Sequence, residues 1–197
     1  KLPTVPSAAA ALITIPRTRL TFAASVEFGA DSTADSREPL TFEEMNMGYG
    51  SMIYSTHLPD IKGGSVLHTD GHDFVQVFIN NRYIGTIDRV KNEHSLILPP
   101  TQQGDVITFL VEGMGRINFG RAIKDFKGLI GDVTLTADVD GNEVTWNLKN
   151  WRMRRIADDY ATAQRAITTP HNDLATPESI PGGRGYYTGT FFLKKVG

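Results

Sequence analysis

The chain contains no cysteine among its 197 residues, which excludes a disulfide framework, a thiolate metal site, a cysteine nucleophile and a redox pair. The absence does not fix a compartment, because secreted bacterial proteins also dispense with cysteine. Neither sign of charge is in excess: 20 Lys+Arg stand against 22 Asp+Glu, for a formal charge of −2. The basic residues are scattered, so the footprint that a phosphate backbone requires is missing and nucleic acid is not an expected partner. No run approaches the roughly 18 consecutive apolar residues of a membrane span; the best candidate, Ala8 to Ile15, is about eight long. The chain is therefore not expected to span a membrane. What is present is an apolar fraction of 40%, enough for a packed core, and a length that suits one large domain or one domain with appendages. The chain opens on Lys1 rather than Met, runs at once through Pro3, Pro6 and Pro16, and stops at Gly197 after a strand-like run. It reads as a segment of a longer protein, with any targeting peptide lying upstream.

The 19 glycines and 10 prolines fall between short apolar or alternating runs, a β pattern. In Phe74 to Asn80, Val75, Val77 and Ile79 share one face while Phe74, Gln76 and Phe78 share the other, which predicts a central strand. Asn80-Asn81 tolerates left-handed backbone and Tyr83 to Ile87 resumes the extended pattern, so a hairpin is expected there. Asp140-Gly141 signals a second hairpin between Val133 to Val139 and Glu143 to Leu148. Further strands are expected at Ser51 to Leu58, His94 to Leu98, Val106 to Glu112 and Gly185 to Leu193. Many short strands joined by turns point to a sandwich or barrel. Only Ile156 to Ala166 has helix-like composition, and His171 to Gly183, polar and rich in Pro and Gly, reads as a linker.

Four groups of residues invite a chemical reading. His68-Thr69-Asp70-Gly71-His72-Asp73 carries metal-ligand types, but it lacks the spacing of a helical metal motif, and a turn leading into the strand at Phe74 explains it better. Glu43-Glu44 suggests a glycosidase carboxylate pair. Neighbours on an extended segment point apart, however, whereas a retaining pair converges to about 5–5.5 Å. Glu112, at the end of a buried-looking strand, calls for a donor, and Arg116 or Arg121 could provide it. The glycines of Glu112 to Gly120 have no helix after them, so they read as an irregular loop rather than a phosphate cradle. Trp146 and Trp151 could stack on a sugar if exposed, although core packing is the commoner use of a tryptophan on a strand.

The run MGRINFGRAIKDFKGLIGDVTL, Met114 to Leu135, resembles a signature of the non-catalytic β-domain of glycoside hydrolase family 35 β-galactosidases. PLTFEEMNMGYGSMIYSTHLP, Pro39 to Pro59, is similar to the same family's leading segment, and HDFVQVFINNRYIGTIDR, His72 to Arg89, to its central hairpin. Three such motifs in the same order carry far more weight than any one. Tyr186 to Phe192, in GRGYYTGTFFL, looks like the start of the family's last β-domain. The resemblance extends over nearly the whole chain.

It implies an all-β fold: a jelly-roll β-sandwich of the galactose-binding-domain-like type over residues 40–155. Residues 1–39 would follow an absent catalytic barrel and add strands, 156–183 would form a helix-like segment and linker, and 184–197 the first strand of a truncated β-domain. Family members remove terminal β-galactose with retention, using two barrel glutamates. No Glu here matches either, so no catalytic residue is carried over and the chain alone is not expected to hydrolyse a galactoside. Neither cofactor nor metal is implied. The expected partners are the barrel and the last β-domain of the same parent, with galactoside met only indirectly, in an extracytoplasmic parent. In the family the MGR-x-N loop leans toward the barrel mouth and its aromatic position walls the galactose pocket. That position is Phe119, where some relatives have Tyr. Trp146 matches an aromatic position after the Asp-Phe-Lys-Gly strand and is expected to join Phe119 in the pocket wall, packing behind it or against the barrel, and Arg116, Asn118, Asp125 and Lys127 would support the loop through charge-assisted hydrogen bonds. The alternative is an autonomous module that binds galactosides without the barrel.

Overall fold

Asn80 and Asn81 both take positive φ, 48° and 66°, and so do Asp140 and Gly141, at 53° and 79°. Two consecutive left-handed residues make the turn whose twist matches a β-hairpin, which is why these dipeptides fix two of the strand pairings. The computed structural model describes residues 20–121, 123–156, 159–169 and 185–191. Along them run strands β1 (Thr21–Ser25), β2 (Ala30–Ser36), β3 (Gly50–His57), β4 (Ser65–His72), β5 (Phe74–Ile79) and β6 (Arg82–Asp88). These are followed by β7 (Ser95–Leu98), β8 (Val106–Gly113), β9 (Gly128–Val139), β10 (Asn142–Asn147), β11 (Trp151–Ile156), helix α1 (Tyr160–Thr168) and β12 (Gly185–Thr188).

The strands form a six-stranded sheet in the order β2-β11-β3-β8-β5-β6, a four-stranded sheet in the order β10-β9-β4-β7, and a two-stranded pair of β1 with β12. All pairings within the two large sheets are antiparallel. The chain crosses from sheet to sheet at most connections, as in a jelly roll, and the fold is an all-β sandwich. Its main core cluster lies between the two large sheets. Met52, Tyr54, Val75, Val77, Phe109, Trp151 and Met153 of the larger sheet face Leu67, Leu129, Val133 and Leu135 of the smaller one. The Trp151 ring lies between those of Phe109 and Tyr54, with centroids 5.6 and 6.5 Å away. The opposite face of the larger sheet carries a second cluster of Ile53, Phe78, Leu110 and Ile156, with Val26 and Ala30 packed on it. Burial on both faces is what the two-sided bulk of β5 and β8 requires.

Two sequence expectations need correction. Residues 68–72 are not a turn but the second half of β4, where Asp70 to His72 pair with β9 and β7 reaches only as far as His68. The ladder to β9 overrides the poor strand propensity of Asp and Gly. The helix starts later than expected, because Ile156 belongs to β11 and the Asp159 side chain caps the helix by accepting from Thr162 N at 2.7 Å. The supposed linker at residues 171–183 lies outside the described residues.

The segment entering β3 shows how local sequence positions the site. In Thr41-Phe42-Glu43-Glu44, Thr41 N donates to Glu44 Oε2 at 2.7 Å and Glu44 N donates to Thr41 Oγ1 at 3.2 Å, a reciprocal capping box. The turn closes with Met47 N on Phe42 O and Asn46 N on Glu43 O, with Asn46 left-handed. A single capped turn therefore buries Phe42, Met45 and Met47 in the core and aims Glu43 sideways. The Tyr54 hydroxyl reaches back from β3 to the Leu40 carbonyl at 2.8 Å, and burial pushes its phenol up from the ordinary tyrosine range. Removing that hydroxyl leaves a shielded carbonyl without its donor. Tyr54→Phe should cost about 1–2 kcal/mol in urea unfolding.

Candidate functional site

Closure of the β5–β6 hairpin sets Phe74 opposite Asp88, so the residues flanking that pair, Asp73 and Arg89, meet. Arg89 sits on a short 3-10 turn capped by the Asp88 side chain, which accepts from Val90 N, and its Nη1 lies 2.7 Å from Asp73 Oδ1. Arg89 Nη1 also lies 2.9 Å from Asp125 Oδ1. From the start of β9, Lys127 Nζ stands 2.7 Å from both Asp73 Oδ2 and Asp125 Oδ2. Two carboxylates and two cations thus close a ring of ion pairs. It is largely shielded from water: Lys127, Asp73 and Asp125 are only 3%, 7% and 8% exposed.

Burial would raise the Asp73 carboxyl, yet the Lys127 ammonium, the Arg89 guanidinium and the Met114 N–H together hold it below the ordinary carboxylate range. The same opposition of burial against Lys127 and Arg89 leaves Asp125 below that range. Asp73, through its hydrogen bond to Arg89, keeps that guanidinium charged more firmly still. The ring is therefore ionised at neutral pH.

A second clamp lies beside it. Arg116 Nε donates to Gly48 O at 2.9 Å, and its Nη1 pairs with Glu43 and reaches Asp125 O at 3.3 Å. Glu43 Oε2 accepts from Lys127 N at 3.1 Å, while Phe42 N donates to Lys127 O at 2.8 Å. Burial opposes ionisation of Glu43, but Arg116 and the backbone N–H groups keep its carboxyl below the ordinary value. Arg116, one of the two arginines that the sequence offers to Glu112, is engaged by Glu43. Glu43 and Glu44 do diverge, though from a capped turn rather than an extended segment. Gly128, at φ 108°, has its missing Cβ aimed at the Tyr54 hydroxyl, 2.3 Å away. Any other residue would push the start of β9, and Lys127 with it, out of place.

Both clamps secure one stretch of chain at both ends. After β8 the loop begins at Met114, whose N–H donates to Asp73 Oδ2 at 2.9 Å, and it returns through Asp125 and Lys127. Between these anchors Met114, Ile117, Phe119, Ile123 and Phe126 stand exposed, Phe119 at 89%. Beneath them opens a cleft of about 380 Å³ bordered by Met114, Ile117, Val90 and the charged ring.

Of the residues singled out from sequence, Arg116, Asp125 and Lys127 converge at the foot of this loop. Asn118 is exposed on the loop and has no side-chain hydrogen bond to another described residue. Trp146, on edge strand β10, is half-buried against the sandwich core, away from the loop's anchors. Trp151 is 1% exposed, so it cannot stack on a sugar. Among the described residues no group of three His, Asp or Glu could hold a metal ion, and no helix is long and apolar enough to cross a membrane. Glu43 and Asp73 were noticed in the sequence for other chemistry, while Arg89 was missed. Its signal was the charge at each end of the hairpin segment His72 to Arg89.

The model of a protein family described as the first all-beta domain of beta-galactosidase matches residues 39–156. The chain belongs to that family. It is 30% identical to a mouse beta-galactosidase over 162 residues, which cover 74% of this chain and 25% of the mouse protein. It is 30% identical to the human beta-galactosidase over 141 residues, 70% of this chain and 20% of the human protein. A rice protein, beta-galactosidase 8, is 29% identical over 134 residues, 63% of this chain and 19% of its own length. The chain thus spans no more than about a quarter of the length of these curated relatives.

In this β-galactosidase domain the ion ring has a pH signature. Asp73 and Asp125 hold their protons less tightly when folded than in the unfolded chain, where an aspartate titrates near about 3.9. Their stabilisation is complete above that value and is lost as pH falls through the lower folded values. The urea midpoint should therefore drop on going from about pH 5 to about pH 3, and the slope should flatten in Asp73→Asn. At neutral pH the same substitution should cost about 3 kcal/mol, because it strips one partner from a shielded pair.

Proposed function

We propose that this chain is the accessory β-sandwich of an exo-acting, retaining β-galactosidase. It rests against a catalytic barrel carried elsewhere in an extracytoplasmic parent and completes the wall of the galactose pocket. The observation that carries this reading is the loop from Met114 to Phe126: its two ends are fixed by buried charge, yet its crest presents Met114, Ile117, Phe119 and Phe126 to solvent. Several exposed apolar side chains on one loop favour a protein partner, and anchoring of its ends lowers the entropy lost on docking. Family membership makes the remainder of a β-galactosidase the partner this reading favours. The chain is not proposed to hydrolyse galactosides alone; the two glutamates of the retaining reaction belong to the barrel.

In this reading Phe119 gives the pocket an apolar wall and, lacking the hydroxyl of Tyr, adds no hydrogen bond to it. Arg116, Asp125 and Lys127 hold its loop, joined by Glu43, Asp73 and Arg89. Asn118 lies on the same crest and would find its hydrogen bonds across the docking surface. Trp146 supports the sheet edge instead of touching sugar. The last β-domain of the parent is a further contact.

In the full-length parent, Phe119→Ala should lower kcat/KM about tenfold or more, mainly through KM, against an exposed control such as Lys62→Ala. Kinetics equal to the control would overturn the wall role. The alternative reading, an autonomous galactoside-binding module, is favoured by one feature, the exposed Tyr49 near the Phe119 loop. Titrating the isolated chain with lactose in a calorimeter separates the two. No saturable heat is expected, and saturation at millimolar affinity or better would favour the alternative.

A further inference from the structure

The Phe119 loop is not the only segment that exposes apolar side chains at its end of the sandwich. The ladder of β3 with β8 ends at the pair Gly50 and Gly113, so Tyr49 and Met114 leave the sheet side by side. A small slot bordered by Tyr49, Gly115 and Arg116 lies there. Val90, on the short turn after β6, borders the cleft of about 380 Å³ together with Met114 and Ile117. Tyr49 is 64% exposed and Val90 83%. Each stands beside backbone that charged side chains hold. Two guanidiniums take the four successive carbonyls before Tyr49: Arg155 Nη1 donates to Met45 O and Asn46 O, each at 3.2 Å, and Arg116 donates to Met47 O at 3.4 Å and Gly48 O at 2.9 Å. Basic side chains serve the last carbonyls of a helical turn in this way. Asp31 grips Arg155 through both oxygens, at 2.8 and 3.1 Å. Val90 N donates to Asp88 Oδ1 at 2.9 Å, and its neighbour Arg89 belongs to the ion ring.

We propose that Tyr49, Val90 and the Phe119 loop form one preformed docking face. The surface it meets, on the remainder of the parent chain, carries an apolar side chain for the cleft bordered by Val90 and Met114 and carboxylates for Arg121 and Lys124.

Three observations carry this. The first is rigidity: with the backbone pinned beside each exposed residue, little but side-chain freedom is left to lose on contact. The second is the mixture of side chains. Tyrosine is enriched among the residues that dominate protein interfaces. A tyrosine by itself would suit a sugar equally well, but Val90 and Met114 offer no ring for a sugar to stack on, so the composite face fits a protein. The third is charge. Arg89, Arg116, Lys127 and Arg155 are each paired with a carboxylate. Arg121 and Lys124 are exposed on the same loop and have no carboxylate partner among the described residues; Lys124 Nζ lies only over the Phe126 ring, 5.2 Å from its centroid. Complementary potential across an interface fixes register and rejects wrong partners, so the opposing surface is acidic there. The match covers 25% of the mouse relative, which leaves most of such a protein to supply that surface. The choice of partner rests on the accessory-sandwich reading; the face itself does not.

The test compares the 197-residue chain with the full-length parent by hydroxyl-radical footprinting, which reads side-chain exposure by mass spectrometry. Oxidation of Tyr49, Met114 and Phe119, and of the peptide carrying Val90, should fall several-fold in the parent, while Tyr83, near the far turn of the β5–β6 hairpin, stays unchanged. Equal oxidation of Tyr49 and Val90 in both forms would overturn the face, even with Phe119 shielded. In the parent, Tyr49→Ala and Val90→Gln should each speed proteolytic release of the sandwich several-fold. In the isolated chain both should leave the urea midpoint where it was, since both side chains stand in solvent. Raising salt from about 50 to about 500 mM should also speed release, and Arg121→Gln combined with Lys124→Gln should abolish that response. A response that persists in the double variant, or is absent from the unsubstituted parent, would overturn the acidic surface. If a substituted parent does not fold, the footprint of the unsubstituted one decides. Shielding of all three segments with Phe119→Ala kinetics equal to the control leaves this face standing and removes the pocket-wall role; shielding of the Phe119 loop alone, with impaired kinetics, does the reverse.

Discussion

The pairing of Lys127 with Asp73 and Asp125 is the constraint on which the functional end of this sandwich rests. An ammonium that is only 3% exposed cannot remain charged without partners, because the cost of removing it from water amounts to several kcal/mol. Those partners come from two different places: Asp73 from the junction of β4 with β5, Asp125 from the approach to β9. Arg89, delivered by the return of the hairpin, completes the ring. Once the charges are satisfied in this way, the backbone at all three places has one acceptable arrangement. Met114 N–H then binds the same Asp73 carboxylate, and the loop's first residue is fixed by the group that fixes its last.

Replacement of such a ring by apolar side chains of similar volume can raise stability. The gain here is in definition more than in free energy. An apolar filling would be satisfied by many loop geometries, whereas directed hydrogen bonds to Asp73 and Asp125 are satisfied by few. Arg116 adds to this by joining the capped turn at Glu43 and Gly48 to the Asp125 carbonyl. The sandwich core beneath, closed around Trp151, gives the rigidity that makes this definition useful.

Much of the sandwich was legible from the sequence because its signals are local. Asn80-Asn81 and Asp140-Gly141 determine turn geometry within two residues, and the alternation in β5 and β8 shows two buried faces directly. β4 was not legible, since Asp70, Gly71 and His72 have poor strand propensity and are extended because β9 pairs with them. The helix boundary depended on which of several aspartates caps it. At the site, the loop and three of its supporting residues were found through motif resemblance. The ring itself was hidden because Asp73 and Lys127 are 54 positions apart, and Glu43 and Lys127 are 84 apart. Only the register of the β5–β6 hairpin, which makes Asp73 and Arg89 neighbours, could have exposed part of it in advance.

The two halves of the loop follow opposite physical rules, and that contrast is the reason to place function there. Its ends are charged and withdrawn from water; its crest is apolar and exposed to it. Folding of this chain alone gains nothing from placing Phe119 in solvent, and a collapsed loop would bury more surface. The anchors prevent that collapse by holding Met114 and Lys127 at the sheet ends, with glycines at positive φ, Gly115 and Gly120, allowing the chain between them to bend outward. The sequence thus maintains an exposed apolar crest that the isolated fold has no use for. Such a crest makes sense when its burial is completed by another surface, which is the role an accessory sandwich would have beside a catalytic domain.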